Sequence, residues 1–99
     1  MAYLIEYSPE AEDHLYLLTA RQQRIVVDAV DRQLLDQPAL ETKNRKPMRP
    51  NPIAPWELRI GDLRVYYEVE EQPQPKVIIL AVGTKERNRV RIGKETLEL

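Results

Sequence analysis

WELRIGDLRVYYEVE, residues 56–70, is two alternating runs joined by Gly61-Asp62. Glycine in the first loop position suits a two-residue type II′ hairpin, where that position needs a positive φ. With those two residues as the loop, Ile60 faces Leu63, Arg59 faces Arg64, Leu58 faces Val65, Glu57 faces Tyr66 and Trp56 faces Tyr67. Period-two alternation then sorts the side chains. Trp56, Leu58, Ile60, Leu63, Val65, Tyr67 and Val69 share one face, which reads as core. Glu57, Arg59, Arg64, Tyr66 and Glu68 share the other, which reads as solvated. That second face sets two guanidinium groups directly opposite each other. Like charges so placed cost roughly 0.2–1 kcal/mol unless carboxylates or a bound anion compensate. Glu57 and Glu68 are the nearby acids, and an anion between the arginines is the other solution.

Working outward, residues 38–55 carry Pro38, Pro47, Pro50, Pro52 and Pro55, which forbid a regular helix and stiffen an extended connector. The same stretch carries Lys43, Arg45, Lys46 and Arg49. A stiff basic loop leading into a basic strand suits a phosphate-lined partner. Before it, Ser8-Pro9-Glu10 is a helix start, with serine as cap and proline at the first helical position. A short helix through about Thr19 places Ala11, Leu15 and Leu18 on one face. Thr19 and Gln22 form a capping box for a longer helix from Ala20 to about Gln37, with Val26, Ala29, Val30 and Leu34 as its buried stripe. His14, the only histidine, reads as an exposed or partly covered helix position rather than a general base. Residues 2–7 alternate as a first strand. After the hairpin, KVIILAVG (76–83) is a covered strand, TKERNRV (84–90) a loop or helical turn, and residues 94–99 a short tail.

The expected fold is therefore α+β, one domain over residues 1–99: an N-terminal strand, a helical hairpin, then a three-stranded antiparallel meander, with both helices on one face of the sheet. The first strand joins an edge or inserts beside the last one. The absence of cysteine excludes disulfides and thiolate metal sites and fits a cytoplasmic location. The first residues lack a signal-peptide pattern, and no apolar run is long enough to span a bilayer. Net charge is −1, but its distribution is uneven. Residues 1–42 hold eight acids and three bases, whereas residues 85–94 hold five bases and one acid. A positive field over the sheet half follows from that asymmetry.

MAYLIEYSPEAEDHL, WELRIGDLRVYYEV and VIILAVGTKERNRV, in this order and spacing, resemble the RelE/ParE superfamily of toxins from bacterial type II toxin–antitoxin modules, with the RelE-like branch favoured. That resemblance implies a ribosome-dependent mRNA endonuclease, which inhibits translation by driving a ribose 2′-hydroxyl onto the adjacent phosphate. It implies neither metal nor other cofactor. Its partners are a cognate antitoxin, which wraps the toxin in a hetero-oligomer, and the ribosome with its mRNA; no membrane is involved. By the same resemblance Arg64 falls on the phosphate-binding arginine, and Arg59 and Lys85 fall on basic positions. Glu57 stands where a lysine is expected and is a candidate general base. Arg87, Arg91, Lys46, Arg49 and Tyr66 are the candidate RNA contacts, Tyr66 by stacking on a base. Arg91 stands where the family pattern has a tyrosine. The alternatives are a non-catalytic ParE-like inhibitor of DNA gyrase and a degenerate toxin that only binds its antitoxin. A groove lined by Val26, Val30 and the sheet edge is the expected antitoxin seat.

Overall fold

A computed structural model describes residues 2–98. The chain runs β1 (Leu4–Tyr7), α1 (Pro9–Tyr16), α2 (Ala20–Leu34), β2 (Arg45–Pro47), β3 (Trp56–Ile60), β4 (Leu63–Glu70), β5 (Lys76–Glu86), β6 (Arg89–Ile92) and β7 (Glu95–Leu97). All seven strands form one sheet in the order β2-β3-β4-β5-β6-β7, with β1 parallel to β5. The expected β3-β4-β5 meander and the placement of β1 beside β5 are present, and β2, β6 and β7 extend the sheet beyond them.

The β3–β4 register is the expected one, including Arg59 opposite Arg64 and Glu57 opposite Tyr66. Gly61 has φ +58° while Asp62 stays outside the left-handed region, as a type II′ loop requires. Both helix caps form as read. The Ser8 hydroxyl accepts from the Ala11 amide at 3.1 Å, and Thr19 and Gln22 satisfy each other's amides at 3.1 and 3.0 Å. The Thr19 cap has an extended backbone, ψ 159°, so α1 stops at Tyr16 rather than at Thr19. α2 stops at Leu34 because Gln37 turns left-handed at φ +52°, ahead of Pro38. The Arg45 guanidinium then takes the carbonyls of Gln33, Asp36 and Gln37, all from one nitrogen. A cation closes the negative end of the helix there and fixes the start of the connector to it.

Both helices cover one face of the sheet. Ala11, Val26, Val30 and Leu34 meet Leu58, Leu63, Val65, Tyr67, Val77, Ile79 and Val82 in one core. Tyr67 stacks on Trp56 with ring centres 6.1 Å apart and donates its hydroxyl to the Pro38 carbonyl at 2.7 Å. Because Val26 and Val30 are wholly inside this core, they line no groove, contrary to the expected antitoxin seat.

The opposite face differs from the solvated surface expected of it. A second, smaller core gathers Ala54, Tyr66, Ala81, Val90 and Ile92, flanked by Met48, Ile53, Leu80 and Leu97. Its cover comes from the proline-rich connector and from β6 and β7. Residues 84–90 are neither loop nor helical turn. β5 continues to Glu86, turns through Arg87-Asn88 and returns as β6. Residues 95–97 are the last strand rather than tail. These segments are short, and pairing holds them, β6 on β5 and β7 on β6, with Val90 and Ile92 turned into the second core.

On its other edge, β5 pairs with β1 through residues 76–79 and with β6 through residues 83–86. The helical hairpin plugs the gap between them. The Ser8 amide donates to the Ile79 carbonyl at 2.9 Å and the Val82 amide donates to His14 Nδ1 at 3.2 Å. A β-bulge falls in the same stretch, between the pairs Tyr66–Ala81 and Tyr67–Ile79. Among the described residues no helix is long and apolar enough to cross a membrane.

Candidate functional site

Alternation on β3 and β4 aims Glu57, Arg59 and Arg64 away from the helices, and the connector rises beside them. The result is an open hollow of about 700 Å³. Lys46 and Arg49 stand on the connector side, Glu57, Arg59 and Arg64 on the ribbon, and Lys85 with Asn88 at the β5–β6 hairpin. Glu98 lies at the rim. Five cations against two carboxylates leave the hollow positive although the whole chain is not.

Asn51 shapes the connector wall. Its side-chain oxygen accepts the amides of Ile53 (2.7 Å) and Ala54 (3.0 Å), and its nitrogen donates to the carbonyls of Arg49 (2.7 Å) and Ala54 (2.9 Å). Met48 and Pro55 close the loop by a 2.8 Å backbone bond. One asparagine thus holds Arg49 at the hollow and presses Ile53 and Ala54 onto the second core. Sequence reading passed over Asn51; an asparagine followed by a proline between basic and apolar residues was its signal.

The opposed arginines differ. Arg64 is 8% exposed and donates Nη1 to the carbonyls of Gly61 (2.7 Å) and Leu63 (2.9 Å). The Arg59 side chain is 49% exposed, and its Nε donates to Glu57 Oε1 at 2.7 Å. The other Glu57 oxygen lies 4.0 Å from Arg64 Nε. Glu57, 8% exposed, therefore separates the guanidinium groups at the floor of the hollow. Lys46 reaches Glu41 at 3.4 Å in an exposed pair of small energetic weight. Among the described residues, Arg49, Lys85 and Arg87 have no carboxylate within ion-pair distance.

Gly83 sits directly opposite Arg64 on the neighbouring strand. A Cβ there would meet the Arg91 carbonyl at 2.5 Å, so only glycine lets β6 approach this closely. Arg87 occupies the hairpin tip next to the hollow at φ +59°, a conformation costing a non-glycine residue about 1–2 kcal/mol.

Two expected contacts fall elsewhere. Tyr66 is fully buried in the second core, so its ring is not available to stack on a base. Its hydroxyl makes no hydrogen bond of good geometry, although the Glu57 carboxylate lies close by. Burial first, and the neighbouring Glu57 carboxylate second, push its pKa up. Arg91 pairs with Thr84 and faces α1, where it lies 3.9 Å from Glu86. The residue of β6 that faces the hollow is Val90. Lys46, Arg49, Glu57, Arg59, Arg64 and Lys85 are thus brought together, Arg87 stands at the edge, and Tyr66 and Arg91 are excluded.

Residues 5–89 match the family model described as the ParE toxin of type II toxin–antitoxin system, parDE. No curated protein matches the sequence. Among solved structures, a chain of the RelBE2 toxin–antitoxin complex from Mycobacterium tuberculosis superposes with a TM-score of 0.68 at 22% identity, covering 86% of this chain and 100% of that one. That likeness establishes a shared fold, and the family match, spanning most of the chain, establishes membership. The protein belongs to the ParE toxin family of type II toxin–antitoxin systems.

Proposed function

We propose that this toxin acts on RNA, cleaving messenger RNA at the ribosome and so inhibiting translation. The carrying observation is the hollow itself, where cations from the connector, the β3–β4 ribbon and the β5–β6 hairpin converge on one opening. Anchored Arg64 and free Lys85 hold the phosphate and oppose the charge that builds on its oxygens. The 2′-oxygen bonds to phosphorus, the bond to the 5′-oxygen breaks, one proton leaves the 2′-hydroxyl and one reaches the departing oxygen. Glu57, the carboxylate on the floor, is placed to take the first proton, and Lys85 to supply the second. Arg49 and Arg87 extend the positive track for flanking phosphates.

Inducing the wild type should arrest growth, and the purified protein should leave cleaved message in a ribosomal translation reaction. Arg64→Ala should do neither while unfolding cooperatively. Equal toxicity in that variant defeats the reading.

A second reading, non-catalytic inhibition of DNA gyrase, is favoured by one observation: among the described residues no tyrosine or histidine lines the hollow. Loss of supercoiling with intact message would establish it instead. Under both readings an antitoxin is the partner. Exposed Tyr16 and Leu17 at the end of α1, and the outer edges of β2 and β7, offer it apolar and backbone contacts.

A further inference from the structure

Arg64 is a fixed anchor, held by two backbone carbonyls and reaching the hollow through the small part of it that stays exposed. Arg59 is an arm, half-exposed and tied at Nε to one oxygen of Glu57. Across the ladder the buried Tyr66 hydroxyl lies beside that carboxylate without a hydrogen bond of good geometry to it. A donor thus sits poorly engaged next to a carboxylate that has given an oxygen to an exposed cation. A second arrangement would satisfy every group: Arg59 would swing onto an anion in the hollow, and Glu57 would accept the Tyr66 hydroxyl instead.

We infer that Glu57 is a built-in competitor for the anion, latching Arg59 when the hollow is empty, and that a phosphodiester binds by opening this latch, with Tyr66 taking over the carboxylate. The inference rests on the reading of the hollow as an RNA phosphate site and adds to it a residue that sets the affinity of that site. The latch lowers by the same factor the affinity of every anion that must free Arg59, so a ligand that also engages Arg49, Arg64 and Lys85 still binds where a single phosphate does not.

The test is binding of a short fluorescein-labelled 2′-O-methyl oligouridylate, which lacks the attacking hydroxyl, so that affinity is read apart from cleavage. Glu57→Gln should bind roughly two- to fivefold more tightly, the worth of one half-exposed ion pair. Its affinity should also fall more steeply with salt, by about 0.7 in the logarithmic slope for the one cation set free. The gain should vanish in Glu57→Gln/Arg59→Ala. Tyr66→Phe should weaken binding in the wild-type background and leave the Glu57→Gln background unchanged. Thermal unfolding of each variant confirms that the fold is intact. Unchanged or weaker binding by Glu57→Gln, with binding still abolished by Arg64→Ala, overturns the latch and leaves the RNA site standing. Binding that survives Arg64→Ala undiminished removes the RNA site and the latch with it.

Discussion

Tyr66 and Tyr67 are neighbours on one strand, both fully buried, and they enter different worlds. Tyr67 points to the helices, stacks on Trp56 and has its hydroxyl answered by Pro38. Tyr66 points to the connector side, under Ala54 and Ile53, with its hydroxyl unanswered beside Glu57. The helix side is a closed core in which Tyr67 is satisfied, although the Tyr7 hydroxyl packed against it has no partner. The connector side is half core and half charged hollow, and there the unpartnered hydroxyl lies beside charged groups. One ribbon serves both because alternation sends consecutive residues to opposite faces. Structure is concentrated on the first face, and the groups left free to act are on the second.

The largest effect should come from breaking the closed side. Tyr67→Ala should lower stability by about 3–5 kcal/mol, as large-to-small changes of a buried aromatic do, read as a loss in urea midpoint. Toxicity should vanish with the fold. Arg45→Ala comes next. It strips three carbonyls at the end of α2 of their donor and frees the connector that walls the hollow. A cost of about 1.5–3 kcal/mol is expected, together with weaker RNA binding although Arg45 does not line the site. That drop in stability with binding intact would show that the connector holds its shape without this tether. The phenylalanine pair sharpens the comparison most directly. Tyr67→Phe should cost about 1 kcal/mol for one hydrogen bond, whereas Tyr66→Phe should be neutral or stabilising because it deletes an unpaired hydroxyl. Equal losses in chemical denaturation would mean that Tyr66 is satisfied after all.

The same contrast explains what was readable in the sequence. The ribbon, its register, both caps and the helix stripe rest on local rules, and each lies within a few residues of the feature it decides. Arg59, Arg64 and Glu57 were found because register alone brings them together. Tyr66 was misplaced because its cover, residues 48–54, is folded by Asn51 and lies far from it in the chain. Arg91 was misplaced by one residue of phase: with residues 84–90 not recognised as strand, nothing said that Val90 and not Arg91 faces the hollow. β6 does alternate, with Val90 and Ile92 turned into the second core, but four residues beside a basic run are too short a signal to separate a strand from a loop, and the three of β7 are shorter still. His14 was read for its exposure, but its role comes from the gap in β5, which exists only once β1 and β6 have both paired there.

That gap gives the smallest effect and the most specific in pH. His14 Nδ1 accepts the Val82 amide hydrogen, which only an unprotonated nitrogen does. Desolvation lowers the pKa of His14 below the ordinary 6.5, opposed by Asp13 and Glu10 on its own helix and by Glu95 on β7. Lys94 and Arg91 also line the surface around it, with Glu86 beside Arg91. The unfolded chain therefore takes up a proton near 6.5 that the folded chain resists until lower pH. Stability is complete above the unfolded value, declines as pH falls through that window, and stops declining on this account once the folded histidine is protonated as well. Urea midpoints should fall from pH 7.5 toward pH 5.5 in the wild type and stay nearly level in His14→Asn, whose amide oxygen stands close to the position of Nδ1 and accepts the same hydrogen without titrating. A parallel decline in both proteins would assign the slope to the carboxylates and reduce His14 to a spacer beside Gly93, where an added Cβ would come within 3.0 Å of its ring.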